Sequence, residues 1–100
     1  MVCPLSEEET FILKILVKNR CFGRDRGYHS EKLRNRYLRK FPKRRGHMKF
    51  DRCLQNLMNK GYISRVGKSP EKYYVADEAK TLIDLGECGV SVPKGRIHSL

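Results

Sequence analysis

Lys49, Arg52, Gln55 and Asn56 place two cations and two side-chain amides along the segment His47–Lys60, whose apolar residues fall on its other side. At about 100° per residue, Phe50, Cys53, Leu54 and Leu57 share one helical face. Met48, Arg52, Gln55 and Asn59 project opposite them, and Lys49 and Asn56 flank that outward group. Arg and Lys donate to guanine O6 and N7, while Asn and Gln pair with adenine N6 and N7. A helix about 10–12 Å across fits the major groove of B-form DNA. These residue types at this spacing are therefore suited to reading base edges.

Lys43, Arg44 and Arg45 stand just before that helix, where three cations crowd a positive helix end unless an anion lies nearby. They are expected to hold phosphates and set register, which is a positioning role rather than a reading one. His47 opens the helix and is counted with this set, although a polar residue at a helix start explains it better than base reading does. Lys68 and Lys72, in the polar turn 67–72, complete the candidates as contacts to backbone or an adjacent minor groove.

Other chemistries find little support. No paired-carboxylate motif, glycine-rich phosphate loop or Cys–His dyad is evident, so the chain does not read as an enzyme. Cys3, Cys21, Cys53 and Cys88 are scattered, with no metal-ligand spacing and no close pair. The expectation is four reduced thiols, no metal and no cofactor. Most of the nine Phe and Tyr residues fall on core faces and do not form a base-stacking platform.

Charge agrees with the polyanion reading. The net charge is +11. Residues 1–20 are neutral overall, residues 21–72 carry 16 basic and 4 acidic side chains, and residues 73–100 carry a net −1. The whole excess lies on the middle of the chain, where it concentrates polyanions and releases their counterions on binding. No apolar run approaches the roughly 18 residues of a membrane span. The acidic start, Met-Val-Cys-Pro-Leu-Ser-Glu-Glu-Glu, lacks the basic region of a secretory signal. The expected setting is the cytoplasm, in association with the nucleoid.

The elements that must position these residues follow from caps and periodicity. Ser6 with Glu9 forms a capping box for a first helix ending near Asn19–Cys21. Its residues Phe11, Ile12, Ile15 and Leu16 line one face, and Leu13 and Val17 form a second stripe, so it should be buried on two sides. Residues 22–29 form a turn with a short strand at Tyr28–His29. Ser30 is the expected N-cap of a second helix, 31–41, whose outer face is nearly all Lys and Arg and which Pro42 halts. The third helix ends at Gly61, Tyr62–Val66 alternates as a strand, and Tyr73–Val75 returns beside it. Asp77 caps a last helix ending at Gly86, and residues 87–100 read as a loosely packed tail.

Leu54-x-x-Leu57-x-x-x-Gly61-Tyr62-Ile63-x-Arg65, then Tyr73-Tyr74 and Asp77-Glu78, resemble the second half of a winged helix-turn-helix DNA-binding domain. The type is common among prokaryotic and archaeal transcription regulators, and the likeness covers roughly residues 5–86. It implies a mainly α fold with a small β-hairpin: a three-helix core, a two-stranded wing and a C-terminal helix. It implies a domain spanning 1–86 and a function in binding duplex DNA as a small transcription regulator. The alternatives are RNA gripped by the basic second helix and wing, or a protein-interaction module. Such regulators often pair through their first and last helices. Leu13 and Val17 with Leu82 and Leu85 are the expected two-fold interface, and a tail folded back through Val90 and Val92 is the alternative cover. A dimer would set two third helices about 34 Å apart on a palindromic site.

Overall fold

The computed structural model describes residues 3–42, 46–68 and 70–90, with the side chains of 46–48 outside that description. The elements run α1 (Glu7–Lys18), β1 (Tyr28–His29), α2 (Ser30–Lys40), α3 (Gly46–Asn59), β2 (Ile63–Val66), β3 (Lys72–Val75) and α4 (Glu78–Glu87), with a short 3-10 turn at Arg24–Arg26. The protein is mainly helical with a small antiparallel sheet in the order β1-β3-β2.

α1 begins as its cap predicts. The Ser6 hydroxyl accepts from the Glu9 N–H at 3.2 Å, and the Glu9 carboxylate accepts from the Ser6 N–H at 3.0 Å. Two orphan helix donors are thereby satisfied. α1 packs on α2, α3, β3 and α4, and Ile12, Leu13, Ile15, Leu16 and Val17 are all buried. It is apolar on two sides because it is the central layer of the domain.

That burial corrects the expected interface. Leu13, Val17, Leu82 and Leu85 are 0%, 2%, 5% and 0% exposed within a single chain. α2, α3, β3 and α4 all pack on α1 within the same molecule, so both of its stripes are covered by its own chain. A second stripe reports two-sided burial without saying whether the cover belongs to the same chain. Ile83 is the exposed large hydrophobe among the described residues.

The sheet is held in register by β3 at its centre. Ile63 faces Val75 and Val66 faces Lys72 on one side, and Tyr28 faces Tyr73 on the other. Lys72 therefore belongs to a strand rather than to the turn. Ser30 is the first residue of α2 and not its cap: its N–H donates to the Glu71 carbonyl at 2.9 Å, so pairing with the strand start satisfies that donor. Gly61 ends α3 at φ +86°, a left-handed position at which a side chain would be strained.

The last helix is longer than its sequence suggests. Gly86 stays helical, and Gly89, at φ +79°, supplies the left-handed residue beyond Cys88. Cys88 and Val90 pack against the core, so the folded unit passes residue 86. Cys3 is disulfide-bonded to Cys88, with their Cα atoms 4.6 Å apart. That corrects the expectation of four thiols. A separation of 85 residues carries no local signal, and only the packing of α4 beside α1 brings the two together. Cys21 and Cys53 remain buried thiols, and burial pushes the Cys21 thiol above its ordinary value.

Candidate nucleic-acid interface

α3 is seated by Phe50, Leu54 and Leu57, which are 0%, 3% and 0% exposed. Aromatic contacts fix its start: the rings of Tyr37 and Phe50 lie 5.2 Å apart, and Tyr37 continues to Phe41 at 5.1 Å. With that face committed to the core, Lys49, Arg52, Gln55, Asn56 and Asn59 are all exposed. The Gln55 amide donates to the Asn59 side-chain oxygen at 3.2 Å, so two amides form an ordered pair one turn apart.

The two edges of this outward side differ. Lys49, Arg52, Asn56 and Lys60 border a groove of about 490 Å³ whose other wall is the Cys3–Ser6 segment and the first turn of α1. Glu8 and Glu9 stand in that wall, 6% and 4% exposed. Lys60 lies 3.6 Å from Glu9, which partly neutralises it. Carboxylates therefore adjoin one edge of the outward side of α3, but no part of the described chain covers it. Asp51 is exposed on the other edge; burial first, then the Glu71 carboxylate, push the Tyr73 phenol up, and Asp51 adds least.

A second hollow, of about 600 Å³, lies between the start of α2 and the β2–β3 turn. Lys68 and Asn35 are exposed at its rim, and the half-buried His29, Glu71 and Arg34 line it. Arg34 is half-buried, with its guanidinium 5.8 Å from the Phe50 ring centre. Its Nε is buried and has no hydrogen-bond partner. Arg65 crosses the hairpin to Glu71 at 3.2 Å, an exposed pair that contributes little.

The structure thus gathers Lys49, Arg52 and Asn56 on one groove, with Gln55 beside them, and places Lys68 on a different one. Lys72 is half-buried at the edge of β3 and faces His29 and Val66. Lys43, Arg44 and Arg45 lie outside the described residues, as does Val92, and His47 is described only as backbone in the first turn of α3. Two residues escaped the sequence reading. Nothing in the sequence singles out Lys60, and it is packing that sets it against Glu9; Arg34 belongs to the Lys/Arg face of α2, on which the sequence singles out no single member. The Lys/Arg run of α2 was visible, but which member turns inward depends on the placement of α3.

Among the described residues no three His, Cys, Asp or Glu side chains assemble into a metal site, and no helix is long and apolar enough to cross a membrane. Comparison with protein-family models, with characterised proteins and with solved structures returns no match.

Proposed function

We propose that this chain is a winged helix-turn-helix protein that binds duplex DNA, with α3 in the major groove, and acts as a small transcription regulator. The observation that carries the reading is the exposed outward side of α3: Arg52, Gln55, Asn56 and Asn59 offer guanidinium and amide groups on a helix fixed by its opposite face. The hairpin stands as the wing, with Lys68 directed to backbone phosphate. Lys43, Arg44 and Arg45 serve the same end from the approach to α3. Affinity comes from these cations, and sequence preference from Arg52 and the amides. The carboxylates at the α1 edge turn the approach towards Arg52, Gln55 and Asn59. With Leu13, Val17, Leu82 and Leu85 in the core, the reading carries no two-fold requirement, and the expected site is a single unit rather than a palindrome.

A second reading is favoured by α2, which carries Lys32, Arg34, Arg36, Arg39 and Lys40 against Glu31 alone. Structured RNA would be gripped by that helix and the wing, because the A-form major groove does not admit α3. Selection of bound sequences from a random duplex pool, followed by competition with structured RNA, separates the two. DNA recognition predicts an enriched short motif whose preference over competitor DNA is lost on Arg52→Ala. An unenriched pool, with RNA displacing duplex at equal concentration, would overturn it.

A further inference from the structure

A groove of about 510 Å³ runs between α1 and α2, separate from both hollows described above except that Cys3 and Leu5 border it at one end. Lys14 and Lys18 stand on its α1 side, and Arg36 and Lys40 on its α2 side. All four are exposed, and none is in an ion pair among the described residues. Glu7 is the carboxylate of the lining, at the disulfide end. The groove is apolar beneath: Phe11 and Val90 are half-buried, and Ile15 and Phe41 close the base. Phe11 meets Phe41 edge to face at 5.6 Å, which fixes the base as a rigid surface.

We infer that this groove is a docking site for an acidic amphipathic helical segment of a partner protein. Each wall carries cations four residues apart, which is one helical turn or about 6 Å along the axis. Carboxylates at the same interval on a docked helix would meet both rows. The spacing alone would also suit a phosphate strand. The apolar base decides between them, because a sugar-phosphate backbone would leave Phe11 and Val90 wet, whereas the apolar side of an amphipathic helix covers them. Bases cannot use the groove for stacking either, since Phe41 is 6% exposed and offers no open ring face. The site lies on the α1–α2 side of the molecule and involves none of the residues assigned to base contact.

The test uses the full chain and three fluorescent probes read by anisotropy. The first is a peptide with glutamates at i and i+4 and Leu or Phe on the facing side, the second is the same peptide with Ser for Leu and Phe, and the third is polyglutamate. The first is expected to bind at least about tenfold more tightly than the other two, and to lose about tenfold in Lys14→Glu with Arg36→Glu. Lys14→Gln with Arg36→Gln, expected to lose less, covers the case in which charge reversal unfolds the protein. Bound duplex should not displace the peptide, and the charge-reversal variant should keep the wild-type duplex preference. Equal binding of all three probes would overturn the site. So would displacement of the peptide by duplex, which would make the groove part of a nucleic-acid surface. Loss of duplex recognition with peptide binding intact would defeat the DNA reading and leave this one standing.

Discussion

The outward side of α3 and the α1–α2 groove are both cationic, yet what surrounds their cations differs. α3 presents Lys49 and Arg52 with three amides and no apolar floor, and it is bordered by Asp51, Glu8 and Glu9. The groove presents four cations, one carboxylate and an apolar base, with no amide at all. Amides discriminate between donor and acceptor patterns, whereas cations over apolar surface favour an amphipathic anion whatever its sequence. Net charge, the quantity most easily read from the chain, does not separate these two surfaces. What lies among the charges does.

The comparison can be broken most forcefully at the one covalent element shared by both regions. Cys3 borders both grooves and Cys88 borders only the α1–α2 groove. Replacing both by Ser removes a link across 85 residues, a loss of up to about 4.5 kcal/mol by chain entropy, measured by denaturant unfolding. Peptide affinity should fall more than duplex affinity. Equal falls would mean that the Cys3–Ser6 segment braces both surfaces alike.

The next effect falls on α3 alone. Arg52→Ala is expected to weaken the preferred duplex by about 1–3 kcal/mol relative to competitor DNA, while leaving peptide binding unchanged. Lys68→Ala should weaken all duplexes alike and lower the salt slope by about one. Titration at several salt concentrations reads both.

A smaller effect tests the seating of α4 through Tyr62 and Asp84, which line neither groove. Tyr62 is 3% exposed and donates to the Asp84 carboxylate at 2.5 Å. Burial first, and then that hydrogen bond and nearby carboxylates, push its phenol from 10.0 up to about 12. Above pH 10 the unfolded chain gives up this proton while the folded one keeps it, so the folded state binds more protons. This contribution is fully present below pH 10 and is lost as the pH rises towards about 12. Tyr62→Phe should flatten the alkaline fall in stability, measured by thermal melts across that window.

The smallest effect sharpens the electrostatic contrast. Asp51→Asn removes a carboxylate from one edge of α3 and should raise duplex affinity about two- to threefold at low salt, and not at high salt. Peptide binding should be untouched.

Much of the fold was legible from local chemistry. The Ser6–Glu9 capping box, the stop at Gly61, the Asp77 cap, which accepts from Lys80 at 3.1 Å, and the hairpin all follow from residues within a few positions of one another. The misread points are those where a distant element supplies the partner. Ser30 resembled a cap, but Glu71 takes its N–H. Gly86 resembled a stop, but packing of Leu85 carries the helix on to Glu87. The apolar pair Leu13 and Val17 resembled an exposed interface until other elements of the same chain buried it.

The sequence by itself determined the order of helices and strands, the apolar face of α3 and the position of the charge excess, because caps, periods and turns act through neighbours along the chain. Only the tertiary structure decided which surfaces those charges share, that Glu9 meets Lys60, that Cys3 meets Cys88, and that α1 is covered by its own chain. Those contacts join residues tens of positions apart. Their partners are chosen by how the layers pack, which no local pattern encodes.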